Sequence, residues 1–163
     1  MVVRGRIVGA LTCQQDSCLY ILQTDVVSCL RSSPSTAPQN AVNAASLTKN
    51  NSPSSLDTWL FELADSVLFS KGGGQPADHG TVLPLSSPSA DAVPIKHVQR
   101  QVLRCLLHSP RPLSPGERAR QEADYRRRWD HMQQHTGQHL LSAIMDTYDN
   151  LKTLGRGMGA MAV

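Results

Sequence analysis

Runs of apolar and β-branched residues, separated by polar turns, predict strands over the first two thirds of the chain. Residues 18–28 are rich in β-forming side chains and indicate one strand, or two strands with a bend. The short runs at 58–63, 66–69 and 81–85 indicate three more strands. Residues 95–107 fit a helix as well as strands, and we favour strands.

The last third of the chain follows a helical period instead. Apolar side chains recur at helical spacing from Met132 to Tyr148, which predicts a helix over about residues 132–149. Asp130 and Gln133 resemble a capping box at the start of this helix. Strands followed by a long helix predict an α+β fold.

Serine- and proline-rich stretches interrupt these elements. Residues 31–55 hold almost no side chains that a core could bury, so we predict a disordered insertion between two strands. Residues 84–94 form a second such loop, and residues 108–116 form a proline-rich connector. Residues 155–163 show neither a periodic pattern of apolar residues nor a helix-capping residue.

Composition and charge restrict the class of protein only loosely. A net charge of +3 and a pI near 8.8 are compatible with a nucleic-acid partner. The four cysteines have no CxxC spacing, which argues against a zinc ribbon or a thioredoxin-like motif. No secretory signal is recognisable, and no apolar run approaches the roughly 20 residues needed to span a bilayer. We therefore expect a reduced, cytoplasmic protein with no membrane partner.

His135 and His139 are the first candidates for chemistry. They lie four residues apart on the predicted helix, so both imidazoles share one face and can ligate one metal ion. The same spacing would also arise if both histidines were simply polar residues on a solvent-exposed helix face. A zincin protease needs Glu directly after the first histidine, and Thr136 occupies that position, which excludes the protease interpretation. A catalytic zinc usually needs three protein ligands, and no Cys or His follows His139.

The run Gly72-Gly73-Gly74-Gln75 is the second candidate. Consecutive glycines allow positive φ and close approach by another backbone or by a ligand, although such a turn can be purely structural. The Gly-Gly-Gln triplet also resembles the tip of peptide-release factors, which assists ester hydrolysis on tRNA. The Pro-Ala-Asp-His-Gly sequence that follows argues against an exposed loop tip.

An arginine cluster precedes the helix. Arg126, Arg127 and Arg128 are candidates for contacts with nucleic-acid phosphates, since guanidinium groups suit phosphate geometry. Glu122 and Asp124 lie close by in the sequence, so a salt-bridged surface is an equally good interpretation.

Longer motifs that contain these residues resemble a known family. Asp-Ser-Val-Leu-Phe and Gly-Gly-Gly-Gln-Pro-Ala-Asp-His-Gly, within residues 65–80, are similar to the glycine-rich motif of the alanyl-tRNA editing proteins (AlaX). These are free-standing relatives of the editing domain of alanyl-tRNA synthetase. Residues 115–117 and 123–143 are similar to that family's signature helix and to the segment that leads into this helix. The resemblance covers about residues 56–154, and more faintly 12–30.

The resemblance implies a fold, an activity and a partner. It implies a small β-barrel-like N-terminal domain (residues 1–116), followed by the start of an α/β editing domain (residues 117–163) that carries the histidine helix. The implied activity is hydrolysis of the ester in tRNA(Ala) mischarged with serine or glycine, which serves translation fidelity. A separate hydrolytic site suits this task, because binding alone discriminates poorly between such small side chains. No DNA partner is expected.

The resemblance also implies site residues. His135 and His139 would be ligands of Zn²⁺ by position. Gly73 and Gly74 would border the editing pocket, and Gln75 would be the catalytic candidate in that pocket.

Two departures from the family pattern bear on activity. The family has a Pro-Glu pair before the glycines, where this chain has Ser70-Lys71. The family's downstream Cys-x-x-x-His element, which completes the zinc site, does not appear in residues 140–163. We therefore expect weak zinc affinity and little catalysis, and whether the chain is an active deacylase stays open. The alternatives are a non-catalytic tRNA- or protein-binding module and a non-functional fragment.

Overall fold

The computed structural model describes residues 4–32, 58–86 and 91–149, which form seven strands and two helices. The helices are α1 (Thr12–Gln15) and α2 (Tyr125–Asp149). The strands are β1 (Ile21–Ser32), β2 (Thr58–Leu63), β3 (Gly80–Pro84), β4 (Val93–Ile95), β5 (Val98–Gln101), β6 (Arg104–Ser109) and β7 (Arg118–Ala123).

The seven described strands form one antiparallel sheet in the order β4-β3-β7-β1-β2-β6-β5. The long strand β1 serves both halves of this sheet, because residues 21–25 pair with β7 and residues 26–32 pair with β2. The register shifts between Val26 and Ser28, and such an irregularity bends a strand. Only two residues separate β4 from β5, the two edge strands, so the sheet curls into a nearly closed barrel.

The interior of this barrel is mainly apolar, and the few polar side chains buried with it need hydrogen-bond partners. Phe61, Val82 and Leu107 are among its fully buried side chains. Gln121 of β7 is also fully buried, and its amide is satisfied: Oε1 accepts from the backbone N–H of Val67 at 3.3 Å, and Nε2 donates to the Asp65 carbonyl at 2.9 Å. A buried amide must find such partners, so Gln121 fixes the loop that follows β2.

Most of the predicted strands are confirmed. The run at 58–63 is β2, the run at 81–85 is β3 shifted by one residue, and residues 95–107 contain strands rather than a helix. The prediction of a strand at 66–69 is wrong. Ser66 Oγ both accepts from the Leu68 N–H and donates to the Leu68 carbonyl, which folds this run into a tight local turn.

The predicted disordered insertion over 31–55 lies almost wholly outside the described residues, although Arg31 and Ser32 belong to β1. The predicted domain boundary at residue 116 lies just before β7. That strand pairs with β1 on one side and β3 on the other, inside the barrel-like sheet. The division into domains over 1–116 and 117–163 stays a prediction.

Helix α2 begins earlier than the sequence predicts. Its first residue is Tyr125 rather than Met132, because Asp124 supplies the cap: Asp124 Oδ1 accepts from the Arg127 N–H at 3.0 Å. The predicted cap at Asp130 is therefore wrong. Asp130 lies inside the helix and accepts a hydrogen bond from Gln134 at 2.7 Å.

The C-terminal half of α2 exposes apolar side chains. Leu140 and Leu141 are 63% and 60% exposed, and Ile144 and Met145 are exposed as well. No helix in the described ranges is long and apolar enough to cross a membrane. The α+β class is confirmed, and the start of an α/β editing domain stays a prediction.

Candidate functional site

A buried ion pair fixes α2 against the loop that carries the glycines. Asp78 is fully buried and Arg128 is 2% exposed, and Arg128 Nη2 lies 2.6 Å from Asp78 Oδ2. The same carboxylate oxygen accepts from Arg128 Nε at 2.9 Å and from the Phe69 N–H at 2.8 Å. Arg128 also donates to the carbonyls of Leu19 and Val67. These bonds hold residues 69–78, the loop that carries the glycines (here called the glycine loop), to the first turns of α2.

The glycine run forms a two-residue turn. Gly72 and Gln75 exchange both backbone hydrogen bonds, at 3.0 and 3.2 Å. The central residues Gly73 and Gly74 have φ of 60° and 87°. Positive φ at both central positions is what a type I′ turn requires, and glycine adopts it without strain. The turn directs the Gln75 side chain towards α2.

The two predicted zinc ligands come together on α2. Nε2 of His135 lies 2.9 Å from Nε2 of His139, and the two rings stack with an angle of 14° between their planes. Nδ1 of His135 lies 3.2 Å from Oε1 of Gln75. An amide oxygen can only accept, so this contact places the proton of His135 on Nδ1 and leaves the Nε2 lone pair towards His139.

An open cavity of about 710 Å³ surrounds this cluster. Gln75, His135 and His139 form one part of its wall, and Trp129 with Met132 forms an apolar part. A ligand in the cavity would therefore contact both the imidazole edges and an aromatic face. The predicted pocket residue Gly73 lies close, since a Cβ at that position would sit 3.8 Å from Cε1 of His135.

The imidazoles fit two positions of a zinc site. Two nitrogens bound at 2.0–2.1 Å to a tetrahedral zinc lie about 3.3 Å apart, close to the spacing of this pair. Hydrogen bonding of the opposite ring nitrogen, as Gln75 provides for His135, is the usual way in which a zinc-binding histidine is oriented. Across residues 4–32, 58–86 and 91–149, no group of three or more His, Cys, Asp or Glu side chains could hold a metal ion. At this position the described residues thus bring together two candidate metal ligands, His135 and His139.

The three arginine candidates lie in different environments. Arg126 is exposed and Arg127 is half-buried. Arg128 faces the interior, where Asp78 and backbone carbonyls occupy its guanidinium group. Its role in this structure is to position α2. Adjacent residues on a helix face different directions, and the run of three arginines in the sequence does not indicate which of them faces the interior.

Sequence reasoning missed the importance of two buried polar residues, Asp78 and His131. Asp78 belongs to the glycine-rich motif, but only the fold shows that it pairs with Arg128. His131 is 4% exposed, and its buried Nδ1 has no hydrogen-bond partner among the described residues. Burial and the positive charge of Arg127 lower the pKa of His131 from its ordinary value near 6.5.

These titrations predict a loss of stability in mild acid. The pKa values of His131 and His79 are lowered, first by burial and then by Arg127, so the unfolded chain takes up protons near pH 6.5 that the folded chain does not. The free energy of unfolding should fall as pH drops below about 6.5. His131→Gln should reduce that slope, measured by thermal unfolding across pH. Equal slopes in the original chain and in His131→Gln would contradict the assignment.

No protein-family model matches the chain. Several curated proteins that match more than nine tenths of it are named for alanyl-tRNA editing. Alanyl-tRNA editing protein Aarsd1 of Mus musculus is 36% identical over 152 residues, which are 93% of this chain and 32% of the mouse protein. Putative alanyl-tRNA editing protein alaX of Saccharomyces cerevisiae is 35% identical over 159 residues, 94% of this chain and 31% of the yeast protein.

The chain is also similar in sequence to an alanine–tRNA ligase. An alanine–tRNA ligase of Pyrobaculum neutrophilum is 35% identical over 79 residues, 48% of this chain and 8% of the ligase. The chain is thus a homologue of the alanyl-tRNA editing proteins across almost its whole length, and the resemblance predicted from its motifs is confirmed. It spans about a third of the length of these editing proteins.

Proposed function

We propose that the chain acts in alanyl-tRNA editing and carries the half of a zinc-dependent site formed by the glycine turn and the histidine pair. The proposed reaction is hydrolysis of the ester that joins serine or glycine to tRNA(Ala). The observation that carries the proposal is the convergence of Nε2 of His135 and Nε2 of His139, with Gln75 bonded to the far side of His135. The names of the homologues support alanyl-tRNA editing in general.

Each residue has a distinct part in this proposal. His135 and His139 would hold Zn²⁺ through Nε2, and Gln75 would keep His135 in the tautomer that binds metal. When bound, zinc supplies Lewis-acid polarisation of the aminoacyl end and orients a water molecule. The glycine turn leaves room for the aminoacyl group beside the imidazoles, since neither Gly73 nor Gly74 has a side chain. Gln75 is therefore a positioning residue.

The proposed site has two candidate ligands among the described residues, so zinc affinity should be weak and catalysis slow. The test is release of serine from Ser-tRNA(Ala) with zinc supplied in excess, for the chain and for a His135→Ala/His139→Ala variant. The chain should release serine faster than the variant. Equal rates, together with salt-sensitive tRNA binding by both proteins, would replace the proposal with a non-catalytic tRNA-binding module.

The hydrogen bond from Gln75 predicts a measurable effect on metal affinity. Gln75→Ala removes the acceptor of the His135 Nδ1 proton and should weaken zinc binding by about 10- to 100-fold. Gln75→Glu keeps an acceptor oxygen at the same distance along the side chain, so its zinc affinity should equal or exceed that of the original chain. Zinc titration of the three proteins distinguishes them. Unchanged affinity in Gln75→Ala would show that Gln75 does not orient His135.

A further inference from the structure

Three aromatic side chains form a partly exposed row beside the histidine cavity. The chain has only two Trp, three Tyr and two Phe, and Tyr20, Tyr125 and Trp129 lie together. The ring centroids of Tyr20 and Tyr125 are 5.3 Å apart, and those of Tyr125 and Trp129 are 6.2 Å apart. Tyr125 and Trp129 are four residues apart on α2, so the helix places them on one face.

This row is open to solvent and continuous with the cavity. Tyr20 is 42% exposed and Trp129 is 47% exposed, whereas large aromatic rings usually contribute to a core. Trp129 also lines the cavity that contains His135 and Gln75. The row therefore runs from the start of β1 to the wall of the candidate site.

The row offers flat faces to a ligand, and exposed cations occur on the segments that carry it or adjoin the cavity. Arg126, the neighbour of Tyr125 in the sequence, is exposed, and so is Lys71, which directly precedes the glycine turn, whereas the exposed Asp16 is an anion close to Tyr125. The whole chain carries a net charge of +3. Exposed aromatic rings with nearby cations are the combination that binds single-stranded nucleic acid, because unpaired bases stack on the rings while the cations attract phosphates.

We propose that Tyr20, Tyr125 and Trp129 form a stacking platform for the unpaired nucleotides that precede the aminoacylated 3′ end of tRNA. This proposal rests on the proposed function, which places the ester beside His135 and His139. An ester in that cavity is attached to the terminal ribose, so the preceding bases leave the cavity past Trp129. Bases in a paired stem are stacked on one another and offer no free face to the platform.

The binding test uses a short single-stranded RNA that ends in a free 3′ hydroxyl and carries no amino acid. In a Trp59→Phe chain, Trp129 is the only remaining tryptophan, and RNA binding should quench its fluorescence. Trp129→Ala should weaken RNA affinity by at least about fivefold, the loss expected for one base–aromatic stack. Trp129→Phe should retain most of the affinity. Unchanged emission on binding, or unchanged affinity in Trp129→Ala, would overturn the platform.

A second arm separates this proposal from the proposed function. Base stacking on Trp129 needs neither zinc nor an ester, so the His135→Ala/His139→Ala variant should still show the Trp129-dependent quenching on RNA binding. That result supports the platform even where Ser-tRNA(Ala) is not hydrolysed. Hydrolysis that depends on the histidines but proceeds equally well in Trp129→Ala, with equal tRNA affinity, would overturn the platform and leave the proposed function standing.

Discussion

Replacing Arg128 with methionine is expected to lower the free energy of unfolding by about 3–5 kcal/mol. The substitution leaves the carboxylate of Asp78 fully buried without its countercharge, and it also removes the donors to the carbonyls of Leu19 and Val67. A buried charge without a partner is far more costly than the loss of an exposed ion pair. The effect should appear as a lower midpoint in chemical denaturation.

The matched control is Arg120→Met. Arg120 pairs with Glu122 at 3.1 Å, but both side chains are well exposed, so its loss should cost at most about 1 kcal/mol. A double replacement, Asp78→Asn with Arg128→Met, should recover part of the stability because no charge stays buried. Equal losses for Arg128→Met and Arg120→Met would show that the buried pair does not fix α2 to the glycine loop.

Gly80→Ala is expected to be destabilising by about 3 kcal/mol, the upper end of the usual cost of overpacking, because β3 and β7 approach too closely for a side chain. A Cβ at Gly80 would collide with the backbone oxygen of Glu122, and it would lie 2.7 Å from Cδ2 of Leu68 and 3.1 Å from Cα of Ala123. Gly80 and Ala123 are paired in the sheet, so the backbone oxygen cannot move away without disturbing the ladder.

Gly137→Ala makes the same chemical change where space is free. Gly137 lies inside α2, and a Cβ there meets nothing within 4 Å, so alanine should raise the free energy of unfolding by about 1 kcal/mol. Thermal unfolding of the two variants should therefore shift in opposite directions. A Gly80→Ala protein as stable as the original chain would contradict the close packing of β3 against β7.

The strand predictions succeed where a pattern is local. The β-forming runs at 58–63 and 81–85 each become one strand, because β-forming side chains are concentrated within six residues or fewer. The run at 66–69 looks equally β-like but forms a turn. Its conformation depends on Gln121, which lies 54 residues after Val67 in the chain, and no local pattern reveals such a partner.

The start of α2 illustrates a second limit. Both Asp124 and Asp130 are good capping residues, and apolar periodicity alone favours the later one. The earlier residue caps the helix because the first turn of α2 has a structural role: Arg128 reaches into the core and meets Asp78. Buried arginines are rare, so the sequence favoured a surface role for Arg128.

The candidate site was predictable in its parts but not in its assembly. The spacing of His135 and His139 predicts that they share a helix face, and their 2.9 Å separation agrees with that. The glycine run predicts a tight turn, and Gly73 with Gly74 forms one. The contact between Gln75 and His135 joins residues 60 positions apart, and it follows only from the fold.

Zinc titration of the purified chain beside the His135→Ala/His139→Ala variant is the direct test of the proposed metal site. We expect zinc binding that is weak, reaches about one ion per chain and disappears in the variant, because the two converging Nε2 atoms would be the ligands. Equal zinc binding by both proteins, or no binding by either, would contradict the assignment of this histidine pair as a metal site.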